Sequence, residues 1–136
     1  MQKRYSESGL VLIEKYDKFL HYIYPHLQEI PRKHGILKEK IILLVFHQAE
    51  LIYRVVKTKP INKTKLYELD AGLATIRHHL RFLADTRNVT IILDNETKKK
   101  IRKDGKFLLD NKRHNTSSIL MAEVGRIIGA IVKDNR

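Results

Sequence analysis

The sequence predicts an all-α protein, an antiparallel up-down-up-down four-helix bundle. Residues 1–136 form one domain, with an irregular basic insertion at about 87–115 between the third and fourth helices. Three observations lead there. Apolar residues recur at steps of three and four in four separate stretches, the period of a helix face rather than of a strand. The links joining the first three stretches are short, which forces consecutive helices to run in opposite directions. A chain of 136 residues is long enough to bury one core, and with no cysteine it has no disulfide framework or zinc-thiolate site to lean on.

The first helix is expected near 8–30, where Tyr16, Leu20, Ile23, Leu27 and Ile30 step by 4, 3, 4 and 3. Pro25 falls inside that pattern and predicts a kink or a missing hydrogen bond rather than a stop. "PRKHG" ends the helix, Pro31 breaking it and Gly35 turning the backbone. The second helix, near 36–58, shows one wide apolar face of Ile41, Leu44, Val45, Gln48, Leu51, Ile52 and Val55. A basic turn, "KTKPINKTK", follows, with Asn62 or Thr64 placed to cap the next helix.

The third helix, near 62–86, carries Leu66, Leu69, Leu73, Ile76, Leu80 and Leu83 in strict 3, 4, 3, 4, 3 steps. That heptad seam belongs to a helix packed at a shallow angle in a bundle. In "SSILMAEVGRIIGAIVK" the fourth helix, near 116–133, repeats the pattern with Leu120, Val124, Ile127 and Ile131. Ala122, Gly125 and Gly129 add a stripe of small residues, and each glycine inside a helix costs about 1 kcal/mol against alanine. Retaining two of them suggests close helix approach. Between these helices, "VTIILD" reads as a short strand by its β-branched content. Residues 95–115 hold eight Lys/Arg against three acids and are expected to form a mobile basic excursion, a hairpin or a short helix.

The charge balance narrows the function classes. Lys+Arg 27 against Asp+Glu 15 gives a formal +12 and a pI near 10.0, which points to a polyanionic partner, most often nucleic acid. No helix sets a solid basic face against Trp or Phe, so a membrane surface is not the expected partner. No apolar run is long enough to span a bilayer, and Glu14, Lys15, Asp17 and Lys18 interrupt any signal-like block, so a cytoplasmic protein is expected.

Catalytic chemistry is not expected, nor is a metal or other cofactor. There is no H-E-x-x-H, and the adjacent His78 and His79 point about 100° apart on a helix. His21 and His26 are five apart across the proline, which is poor ligand spacing. No Arg is followed by a His after four to six intervening residues, as in one type of helical ribonuclease, and no Gly-rich phosphate loop, G-x-S-x-G elbow or two-metal carboxylate cluster occurs.

The third helix has a second side. With Leu66, Leu73 and Leu80 at heptad position a, Arg77 falls at e and Arg81 at b, four residues apart beside Ala74. Ala71 and His78 lie on the outer line and Phe82 close to it. An outer face of alanines and a phenylalanine makes sense where another protein packs on it. Ala71, Ala74, Arg77, Phe82, Gly125 and Gly129 are therefore the expected subunit interface, with Arg77 paired across it to Asp70 or Glu123 and Arg81 kept for RNA or a protein partner.

"IPRKHG", "DAGLATIRHHLRFLAD" and "AEVGRIIG", in this order and spacing, resemble the accessory variability determinant (Avd) proteins of diversity-generating retroelements. The likeness covers about residues 11–86 and 117–132, and the segment 87–115 departs from it in length. The resemblance implies a non-catalytic four-helix protein that assembles as a basic, barrel-like homopentamer in a prokaryotic or phage-infected cell. It implies binding to the retroelement's reverse transcriptase and template RNA in support of mutagenic cDNA synthesis. By position, Asp70, Arg77 and Arg81 match the third-helix block, and Glu123 and Arg126 the fourth. Residues expected to meet RNA or the polymerase are Arg81, then Arg54, Lys57, Lys59, Lys63 and Lys65 about the second turn, and Arg87, Lys98, Lys99, Lys100, Arg102 and Lys103 in the insertion. The alternative is an oligomeric structural or regulatory bundle resembling the proteins encoded in 23S ribosomal RNA intervening sequences.

Overall fold

A computed structural model describes residues 2–58, 61–85, 90–93, 100–104 and 108–134; of residues 2–8 and of the two strands it describes the backbone alone. Four helices carry the fold: α1 (Gln2–Gln28), α2 (Gly35–Lys57), α3 (Lys63–Leu83) and α4 (Asn111–Asp134). α1 packs on α2 and α4, and α3 packs on the same two helices, so α1 faces α3 and α2 faces α4 across one core. No helix among the described residues is long and apolar enough to cross a membrane.

α1 runs through Pro25, as expected, but begins at Gln2 and stops two residues short of Ile30. Its end is held from α2, where Lys38 Nζ donates to the Gln28 carbonyl at 2.8 Å. Arg32–His34 then forms one 3-10 turn that leads into α2. Along α1 and α2, Gly9 lies against Val56, Tyr16 against Val45, and Gln28 against Lys38, so residue numbers fall on one helix as they rise on the other. The Tyr16 hydroxyl donates to the Val45 carbonyl at 2.5 Å, and burial pushes its phenol far above the ordinary range.

α3 matches its sequence pattern most closely. All six seam residues, Leu66 to Leu83, are buried, each contributing about 1.5–3 kcal/mol by leaving water. Asn62 is the cap, its Oδ1 accepting from the backbone N–H of Thr64 at 2.8 Å and of Lys65 at 3.4 Å. Against α2, Gln48 is buried and Nε2 donates to the Leu69 carbonyl at 2.8 Å. Gly72 makes room for that amide, because a Cβ there would lie 2.1 Å from Gln48 Oε1.

α4 differs in two ways. Its buried seam is Ser117, Met121, Val124, Ile128 and Ile131, with Leu120 and Ile127 only partly covered. That choice turns Gly125 toward α3, where a Cβ would meet Leu73 Cδ2 at 3.4 Å and Arg77 Nη2 at 3.0 Å. α4 also begins at Asn111, five residues before the expected start. Its first turns are polar and are held by capping and ion pairs rather than by burial. Asp110 Oδ1 accepts from the Arg113 N–H at 2.8 Å, and Arg113 Nη1 reaches Glu29 Oε2, just past the end of α1, at 2.5 Å. Leu109, inside the segment expected to be a mobile excursion, is 2% exposed and belongs to the core, its N–H donating to the Leu83 carbonyl at 3.1 Å.

Nor is the insertion irregular throughout. β1 (Thr90–Leu93) pairs antiparallel with β2 (Lys100–Asp104), Thr90 opposite Asp104, with a register shift between Ile92 and Leu93. The expected strand at "VTIILD" is β1, and the helical core is supplemented by one two-stranded ribbon.

Candidate functional site

The expected nucleic-acid residues fall into two groups at opposite ends of the bundle. The first surrounds the corner between α2 and α3. Arg54 and Lys57 leave the last turns of α2, Lys63 and Lys65 enter the first turn of α3, and all four are exposed. Lys59 lies outside the described residues. Among those described, Lys65 is partly occupied by Glu68 at 3.3 Å, whereas Arg54, Lys57 and Lys63 form no ion pair. Lys57 Nζ sits 5.3 Å from the centroid of the Tyr53 ring, a cation–π contact that holds it close to an exposed aromatic face.

The electrostatics of this corner run against helix stability. The first turn of α3 has no acidic residue, although the N-terminal end of a helix carries about half a positive charge and favours carboxylates. Two lysines there add to the dipole's potential instead of offsetting it. Such a corner attracts phosphate, and the neighbouring Tyr53 offers a ring on which a base can stack.

The second group is at the far end of α3. Arg81 lies 18 residues beyond Lys63, which is about 27 Å along the helix axis. It is exposed, with no side-chain partner among the described residues. The ribbon leaves the bundle at this end, carrying Lys100, Arg102 and Lys103 on β2. The side chains of those three, and all of Arg87, Lys98 and Lys99, lie outside the described residues. Arg32, Lys33 and Lys112 are also exposed at this end and were not singled out from sequence; the "PRKH" run could have signalled the first two.

The expected interface residues share one side of the molecule. Ala71 and Ala74 on α3 and Gly129 on α4 are exposed, and a Cβ built on Gly129 meets nothing within 4 Å. Phe82 is half exposed. Gly125 is partly covered by its own chain's α3, so its close approach is made within the bundle. Arg77 crosses that glycine, and Nη2 donates to the Met121 carbonyl at 3.3 Å. Neither Asp70 nor Glu123 of the same chain pairs with it. Glu123 Oε2 instead lies 3.3 Å from Lys15 Nζ on α1, within ion-pair distance though outside hydrogen-bond geometry. Asp70 has no ion pair among the described residues.

A feature of α2 was missed. Leu43 is 61%, Phe46 40% and Tyr53 54% exposed on its outer side, so the apolar residues of α2 do not make a single face. Phe46 is steadied edge-on by Tyr24 of α1, ring centroids 5.4 Å apart.

Among the described residues no group of three or more His, Asp or Glu side chains is arranged to hold a metal ion. The curated proteins include no match to the chain. A family model described as bAvd-like matches residues 10–109, running through the ribbon that looked like a departure and ending just before α4. That match covers well over half of the sequence, and the chain belongs to the bAvd-like family.

Proposed function

We propose that this protein is a non-catalytic accessory subunit of a diversity-generating retroelement, binding its reverse transcriptase and template RNA during mutagenic cDNA synthesis. The family match over residues 10–109 carries this reading. The formal charge of +12 supports the RNA part, as do the unpaired cations at the α2–α3 corner. In this reading the helices alternate up and down. The neighbouring residues along α1 and α2 favour that arrangement, as does the five-residue link 58–62 before α3. The protein works as a homo-oligomer, five subunits by family resemblance, in the cytoplasm of a prokaryotic or phage-infected cell. The exposed alanines and Gly129 on α3 and α4 supply one of its contact faces.

RNA held in this way is bound through phosphates, with weak sequence preference and a steep salt dependence. Each phosphate neutralised contributes a slope of roughly −0.7 to log K against log salt for a single strand. Changing Arg54, Lys57 and Lys63 to Gln should shallow the slope by about 0.7 for each phosphate that is no longer held and leave the helical circular dichroism spectrum intact. An unchanged slope would remove the corner from the RNA surface.

A further inference from the structure

The surplus positive charge belongs to the two ends of the bundle and not to its middle. Contacts between helices fix which stretches share an end. At the corner end Gly9 lies against Val56. At the far end Lys38 reaches the Gln28 carbonyl, Arg113 reaches Glu29, and the Leu109 N–H reaches the Leu83 carbonyl. Met121 and Gly125 of α4 meet Arg77 and Leu73 of α3 in reverse order, so α4 heads back toward the corner. The waist between the ends comprises residues 10–24, 39–50, 66–80 and 117–131, which carry seven carboxylates against five Lys/Arg, a formal −2. Counted along the sequence, the stretches of the corner end (1–9, 51–65 and 132–136) carry +7, and those of the far end (25–38 and 81–116) another +7. The whole net charge of +12 is therefore terminal.

We propose that each chain holds two stretches of RNA at once, one at each end, and so bridges them. The inference deepens the RNA reading above and rests on it. Lys63 and Arg81 are separated by about 27 Å along α3, more than three times the screening length of about 8 Å at physiological salt. Phosphates held at one end are therefore not repelled by those at the other. The waist offers no path between the two, because its net charge has the sign of phosphate and the exposed Glu68 and Asp70 stand on α3 between Lys63 and Arg81. A strand gains by releasing counterions at an end and has little to gain by running along the middle. Two stretches fixed to one rigid body meet at an effective concentration on the order of millimolar, which promotes pairing between them. A single cationic patch on the chain would not supply this bridging.

Acetylation of lysines in the wild-type protein, with and without saturating oligouridylate, tests the assignment without any substitution. Lys57 and Lys63 at the corner and Lys33 and Lys112 at the far end are all exposed, and the RNA should protect all four. Lys15 and Lys18, midway along α1, should react as they do without RNA. Protection at one end alone, or protection that extends to Lys15 and Lys18, overturns the two-ended binding. Absence of any binding would overturn the RNA reading itself.

A second readout counts strands. Changing Arg54, Lys57, Lys59 and Lys63 to Gln removes the corner, and changing Arg32, Arg81, Lys100, Arg102 and Lys112 to Gln removes the far end. Circular dichroism checks that each variant keeps its helices. In calorimetric titration with short oligouridylate, each variant should bind half as many strands per chain as wild type. A count that either set of changes leaves intact, or abolishes, overturns the proposal.

Discussion

Two replacements of the segment between α3 and α4 should have opposite consequences. Replacing residues 86–106 by a short Gly/Ser link removes the ribbon and seven Lys/Arg but leaves Leu109, Asp110 and all of α4 in place. Replacing residues 95–115 removes the buried Leu109, the Asp110 cap, Arg113 and the first five residues of α4. Truncating a buried leucine costs about 2–5 kcal/mol, and losing an N-cap costs about 1 kcal/mol. The Arg113–Glu29 pair is largely exposed and adds no more than about 1 kcal/mol. The second replacement therefore removes about 3–7 kcal/mol, a large part of the 5–15 kcal/mol available to a domain. The first leaves all of these interactions in place, and shortening a loop shifts stability by only about 0.6 kcal/mol per halving. Thermal unfolding followed at 222 nm should show the 86–106 replacement within a few degrees of wild type and the 95–115 replacement unfolded or strongly destabilised. Equal melting temperatures for wild type and the 95–115 replacement would refute the placement of Leu109 in the core and of Asp110 as the cap.

Three further perturbations follow from particular side chains. Gly72→Ala should destabilise by about 1–2 kcal/mol, because displacing the buried Gln48 amide outweighs the helix-propensity gain of about 1 kcal/mol. In a Gln48→Ala background the same change should stabilise, giving a coupling of about 2–3 kcal/mol by urea unfolding; simple additivity would contradict the packing. Tyr16→Phe should cost about 1 kcal/mol. Since burial raises the Tyr16 pKa, the stabilisation tied to its neutral phenol is full below about pH 10 and is lost as pH rises above it. A Tyr16→Phe protein should lose less stability than wild type at alkaline pH, and identical pH profiles would exclude that linkage. Arg77→Gln should loosen the α3–α4 packing and lower the melting temperature, while Arg81→Gln should leave it unchanged and weaken partner binding. The reverse pattern would exchange their roles.

The helices were legible in the sequence where burial dictates residue type at a fixed period. The α3 seam is the clearest case, six large aliphatic residues at strict steps of three and four, and all six are buried. α4 was harder to read because its pattern allowed two registers a residue apart, and the choice rests on Gly125 meeting α3, a tertiary fact. Its start was missed because residues 111–115 carry no apolar signal, although Asp110 after "FLL" was a capping cue. On α2 the run "IILLVF" supplied more apolar residues than one face can bury, which hid the exposure of Leu43 and Phe46. Basic character was plain from composition, but its division between two ends of the bundle depends on where helices begin and end. The corner at Lys63 and the group at Arg81 separate only once α3 is drawn as one unbroken helix.

The central claim is that the protein works bound to a reverse transcriptase and its RNA. Its most direct test is co-expression with the reverse transcriptase encoded by the same retroelement, followed by affinity purification and size-exclusion chromatography. The two proteins should elute as one complex, whose cDNA synthesis on the template RNA falls when this chain is omitted. Two proteins that elute separately, with cDNA synthesis indifferent to this chain, would contradict it.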